Sequence, residues 1–111
     1  MKLSYEDFDV VTVLTVSGEL TADHVDTFRR ACQDRMTTGV RDFVLDLEYV
    51  TIIDSAGLEL LLWLVEEASQ HDGQLRLVNP DATVRKVFEI TRLDRRFDFH
   101  ESIEAAAKSL R

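Results

Sequence analysis

Hydrophobic positions along the chain switch between a period of two and a period near 3.6, and the switches mark out the elements. Residues 3–8 alternate weakly, as a short edge strand does, and residues 10–16 are rich in valine and threonine, the composition of a strand. Ser17-Gly18-Glu19-Leu20 reads as a turn. Thr21 or Asp23 then caps a helix to about Met36, with Val25, Phe28 and Cys32 on one face. Residues 43–47 read as a buried strand. A helix follows from about Ser55 to His71 and closes at Asp72-Gly73. Residues 75–78 form the next strand, and Asn79-Pro80-Asp81 opens a helix carrying Val84, Val87, Phe88 and Thr91 at i, i+3, i+4 and i+7. Residues 97–99 make a short strand, and Ile103, Ala106, Ala107 and Leu110 repeat the helical spacing to the end.

The order is therefore ββαβαβαβα. Strands separated by helices need crossover connections, which make them parallel neighbours, while the first two pair antiparallel across a short turn. The expected fold is α/β: one domain over residues 1–111, a mixed β-sheet flanked by about four helices.

Charge narrows the partners. The formal net charge is −8, and a surface of that sign repels phosphate backbones and anionic lipid heads. Nucleic acid and membrane surfaces are not the expected partners. The longest fully apolar run, residues 60–65, is too short to cross a bilayer, and the first residues lack the order of a secretion signal. Cys32 has no second cysteine to pair with and reads as a small buried hydrophobe on its helix, so a reduced, cytoplasmic protein without a metal site or bound cofactor is expected.

The most informative stretch is Leu45-Asp46-Leu47-Glu48-Tyr49-Val50-Thr51-Ile52-Ile53-Asp54-Ser55-Ala56-Gly57-Leu58, which reads strand, loop, helix start. Ser55 falls where the helix begins, among unpaired first-turn N–H groups at the positive end of the helix dipole. A phosphate there would meet donors already aimed at it. Gly57 removes bulk from the same turn and allows a close approach. A plainer role for Asp54 or Ser55 is simply to cap the helix. At 100° per residue, Leu58, Leu61, Leu62, Val65 and Ala68 cluster on one side, toward the sheet. Glu59, Trp63, Glu66 and Glu67 lie opposite, with Leu60 at the edge. Trp63 is thus expected exposed among carboxylates, either as an interface anchor or as a cover over the core.

Asp54-Ser55-Ala56-Gly57-Leu58 resembles the D-S-[SA]-G-L signature of STAS domains, specifically the bacterial anti-sigma-factor antagonists. Ser17-Gly18-Glu19-Leu20 is similar to that family's turn before the first helix, and Val44-Leu45-Asp46-Leu47 to its central strand. Val87-Phe88-Glu89-Ile90-Thr91-Arg92-Leu93-Asp94, with Phe97 after it, resembles its late helix and final strand. The resemblance implies a non-enzymatic switch, free as a monomer. Its unphosphorylated form would bind an ATP-using anti-sigma serine kinase and free the sigma factor. Phosphorylation of Ser55 would block binding, and a PP2C-type phosphatase would reset it. Ser55 takes the phosphoserine role, Asp54 its acidic neighbour and Gly57 the helix-entry glycine. The partner-binding set expected on this basis is Asp54, Ser55, Ala56, Gly57, Leu58, Leu60, Trp63 and Thr21. Two positions depart from the pattern: Thr21 stands where many members carry aspartate, and Thr91-Arg92-Leu93 where they carry Thr-Gly-Leu. A STAS scaffold, or a regulatory subunit of a transporter or stress complex, is the alternative.

Other classes fit less well. Ser55-Ala56-Gly57 is half of a hydrolase elbow, but Ile53 stands where its first glycine belongs. A response-regulator receiver needs an acidic pair after its first strand, which Ser17-Gly18-Glu19 lacks. No two glycines are close enough for a phosphate-binding loop.

Overall fold

The computed structural model describes residues 1–110. A five-stranded sheet runs β1 (Lys2–Phe8), β2 (Val11–Leu20), β3 (Asp42–Ile53), β4 (Leu75–Val78) and β5 (Asp98–His100), with neighbours in space also neighbours in sequence. β1 pairs antiparallel with β2, and β2 to β5 are parallel. The intervening helices are α1 (Val25–Thr37), α2 (Ser55–Gln70) and α3 (Ala82–Ile90), with α4 (Ile103–Ser109) at the end. The α/β order read from the sequence is therefore the observed one.

Strand alternation divides the core between the two faces of the sheet. Leu14, Val16, Phe43, Leu45, Leu47, Leu75 and Leu77 pack with Phe28 and Cys32 of α1, Leu61 and Leu64 of α2, and Val84 and Phe88 of α3. Val13, Val44 and Val78 point the other way and meet Ala106 of α4. Burial holds the Cys32 thiol protonated, its pKa pushed up to about 12. Phe88 meets Phe97 and Phe99 edge-to-face at 5.4 and 5.2 Å, which ties α3 to β5.

Three local expectations need correction. Ser17-Gly18-Glu19-Leu20 is not a turn: β2 continues to Leu20, with Gly18 at φ +89° absorbing the distortion. Residues 48–53 are not a loop. They extend β3, which carries extra residues where the register against β2 shifts between Thr15 and Ser17 and again between Gly18 and Glu19. Each bulge turns the strand by one residue, so alternation gives way to a period of three in which Leu47, Val50 and Ile53 are buried. Finally, Thr21 and Asp23 do not cap an α-helix. A 3-10 turn (Ala22–His24) intervenes, and Thr21 precedes it without a side-chain capping bond.

α2 also buries a wider arc than its sequence suggests. Gly57, Leu58, Leu60, Leu61, Leu64 and Ala68 are buried, whereas Leu62 and Val65 are only half-buried. The reason is tertiary: α1 packs beside α2, so α2 is covered from the sheet and from one flank.

Candidate functional site

β3 delivers the chain to the end of the sheet, and Asp54 alone separates Ile53 from the first residue of α2. Asp54 is the helix N-cap. Its Oδ1 accepts from the Gly57 N–H at 2.8 Å, as a capping aspartate does. Its Oδ2 accepts from the Ala22 N–H at 3.1 Å, at the start of the 3-10 turn after β2. One carboxylate thus ties together two helical N-termini. The Gly57 N–H bond holds its pKa below the ordinary carboxylate value, with the Ala22 and Ala56 N–H groups acting in the same direction and partial desolvation opposing them.

Ser55 is the first helical residue and is exposed. Among the described residues its hydroxyl has no hydrogen-bond partner, and no histidine bonds to it as a catalytic base would. The ready-made donor set expected for a phosphate is partly occupied, because Asp54 already takes the Gly57 N–H. A phosphoryl group on Ser55 would stand beside an ionised carboxylate and be directed outward, toward solvent or a partner.

Gly57 is fixed by packing. A Cβ placed there would lie 2.2 Å from the Leu20 carbonyl oxygen and 2.9 Å from Ile53 Cγ1. The close approach anticipated from sequence is thus made by the chain's own β2 end, not by a partner.

The structure brings Thr21, Asp54, Ser55 and Ala56 together at one end of the sheet, with Thr21 and Ala56 half-buried. It withdraws others from the surface. Gly57, Leu58 and Leu60 are buried, Leu60 at 1% exposure, because the flank of α2 that carries Leu60 is covered. Trp63 is not exposed among carboxylates: it is half-buried against the core, with the Arg29 guanidinium of α1 5.1 Å from its ring centroid. Two residues missed by the sequence reading are exposed instead, Tyr49 at 56% and Ile52 at 50%, on the bulged strand leading to Ser55. The signal for them was the apolar spacing Leu47, Val50, Ile53, which leaves the pairs between turned out. Asp46 is buried and accepts from the Glu48 N–H at 3.0 Å.

Comparison with known proteins follows the same lines. The family model of the STAS domain matches residues 2–106. This chain belongs to the STAS domain family. BtrV of Bordetella bronchiseptica, a candidate anti-sigma factor antagonist, is 30% identical over 111 residues, which span all of this chain and 96% of BtrV. A crystal structure of a candidate anti-sigma factor antagonist from Thermotoga maritima superposes with a TM-score of 0.89 at 27% identity, covering 97% of this STAS chain and 93% of the other. The Bacillus cell fate determinant SpoIIAA, solved in its phosphorylated form, superposes with a TM-score of 0.75 at 25% identity, covering 99% of this chain and all of that one. No helix of the described residues is long and apolar enough to cross a membrane.

Proposed function

We propose that the chain is a phosphorylation-controlled anti-sigma-factor antagonist. Unphosphorylated, it binds an anti-sigma serine kinase and frees the sigma factor; modified at Ser55, it does not bind. A PP2C-type phosphatase returns it to the binding form. The kinase brings the ATP, and the cycle runs in the cytoplasm, where Cys32 stays reduced.

The observation that carries this reading is the Ser55 hydroxyl, exposed at the mouth of α2 beside the ionised Asp54. Its supports are the antagonist relatives and the phosphorylated SpoIIAA structure. Phosphorylation adds about −1.5 to −2 charge. The helix dipole offsets part of that charge within the domain, so the fold survives. A docked partner has to strip water from the dianion or face its repulsion. A coupling of about 1–3 kcal/mol weakens binding roughly 5–150-fold, enough to exchange partners.

Titration calorimetry with an anti-sigma kinase encoded beside the gene tests this. Ser55→Ala is expected to bind like the unmodified protein and Ser55→Asp to bind within that weakened range. Equal affinities overturn the switch. Intact mass of the protein from its own cells should show one added phosphate, absent from Ser55→Ala.

A further inference from the structure

The far end of the molecule carries a different surface. Parallel strands with returning helices place the start of α2 at one end of the sheet and the end of α3 at the other. α3 closes with the bond pattern of a Schellman motif: Leu93 N–H donates to Phe88 O at 2.9 Å and Arg92 N–H to Glu89 O at 3.1 Å. That motif needs a left-handed residue after the cap, usually glycine, and here it is Arg92 at φ +61°. Among the described residues the other non-glycine positions with positive φ are Asp9, Asp72 and Asn79, types whose short side chains tolerate it. Arginine has no such compensation, and strain of this kind is characteristically retained where a side chain is needed.

Arg92 does not stand alone. Lys86, Arg92, Arg95 and Arg96 are all exposed, against Glu89 and Asp94, on a chain whose net charge is −8. A depression of about 440 Å³ is lined by Glu89, Arg92, Asp94 and Arg95. Among the described residues none of the three arginines pairs with a carboxylate. Asp98, which lines a separate hollow with Arg96, already faces Arg76 at 3.3 Å. Ile90, one helical turn from Lys86, is 70% exposed, the most of the exposed large hydrophobic residues.

We propose that Ile90 and the cations Lys86, Arg92, Arg95 and Arg96 form a second docking surface, for an acidic protein segment that presents one apolar side chain. Charge complementarity selects the occupant: the cations steer and orient an acidic chain, and Ile90 supplies the desolvated anchor. The negative charge over the rest of the molecule works against a nucleic acid or anionic bilayer, whose charge extends well beyond the patch. Because the surface lies at the opposite end of the sheet from Ser55, it stays open while a partner occupies the Ser55 end. The inference stands apart from the switch reading and does not need it.

The probe is a fluorescent amphipathic peptide of about four helical turns, with leucine on one face and glutamate on the other. It is titrated into the whole protein at low and moderate salt, beside a single-stranded RNA and phosphatidylserine vesicles. Binding weakened by salt is expected, with a loss of at least about tenfold in Arg92→Glu/Arg95→Glu and in Ile90→Ser. Arg92→Gly is the deciding variant. Relief of the left-handed strain should raise Tm by roughly 4 °C, while loss of the cation weakens peptide binding several-fold. Ser55→Asp should leave peptide affinity unchanged. The proposal is overturned if the peptide does not bind, if Arg92→Gly binds it as well as wild type, if Ser55→Asp weakens it, or if RNA or vesicles bind more tightly.

Discussion

Residues 42–47 and 48–53 belong to one strand, β3, but to different environments. In the first half Phe43, Val44, Leu45, Asp46 and Leu47 are all buried, with helices on both faces and β2 and β4 on both edges. β4 pairs only with Phe43 to Asp46, so the second half runs beyond it, paired to β2 alone. There two bulges leave one residue in three inward. The central half holds the fold together and has little surface to offer. The outer half contributes less to the core, and its bulges aim Tyr49 and Ile52 outward just before Ser55. A strand can thus act as scaffold and as presenting surface in succession, with bulges marking the change.

The largest test of this contrast is a pair of truncations. Phe43→Ala empties a fully buried site and should cost about 4 kcal/mol. Tyr49→Ala, on the same strand at 56% exposure, should change stability by no more than about 0.5 kcal/mol. Urea denaturation of both variants decides the matter. A Tyr49→Ala cost near that of Phe43→Ala would show that the outer half is core after all.

The junction between the outer half and α2 is held by contact, and the next effect in size comes from there. Gly57→Ala drives a methyl group into the Leu20 carbonyl, a backbone atom that cannot rotate away. The start of α2 must move off β2, at a cost of about 3 kcal/mol. The displacement carries Ser55 with it, so kinase-dependent phosphorylation should fall even at temperatures where the variant remains folded. A shift in the urea midpoint, read beside the phosphorylation rate, checks both. A variant as stable as wild type would mean that the approach of Leu20 to Gly57 does not fix this junction.

How far the sequence reveals these features follows from how local they are. The buried half of β3 was legible because a short, mostly apolar stretch between polar ones has few other uses, even with Asp46 inside it, and β4, interrupted by Arg76, was read at its observed ends for the same reason. The bulged half was not, because an extra residue in one strand is a property of the pairing with β2 and erases the alternation by which strands are recognised. The buried arc of α2 was misjudged at Leu60, expected at the edge, and at Leu62 and Val65, expected toward the sheet, because the cover that α1 gives one flank is not encoded in the spacing of α2 itself. At the site, the positions of Ser55 and Gly57 were legible from their place at a helix start. The second bond of Asp54, to a residue 32 positions earlier in the chain, was not.

That second bond sharpens the comparison at its smallest scale, because it makes Asp54 the joint between β2, β3 and α2. Asp54→Ala loses the cap and the link to Ala22, at about 1 kcal/mol near neutral pH. The pH dependence has a definite sign. Asp54's pKa is lowered in the folded protein, first by the Gly57 N–H, so its charged form is favoured by folding. The stabilisation is fully present above the unfolded value, near 4, and is lost as pH falls through the folded value. The gap between wild type and Asp54→Ala, measured by urea denaturation, should therefore hold steady from neutral pH to about pH 5 and narrow at about pH 3. Asp54→Asn can still cap through its amide oxygen but carries no charge, so its own gap to Asp54→Ala should show no such narrowing. Contributions common to the three proteins cancel in the differences. A wild-type gap unchanged at acid pH would mean that the carboxylate charge contributes nothing to the joint, and that shape alone holds the outer half of β3 against α2.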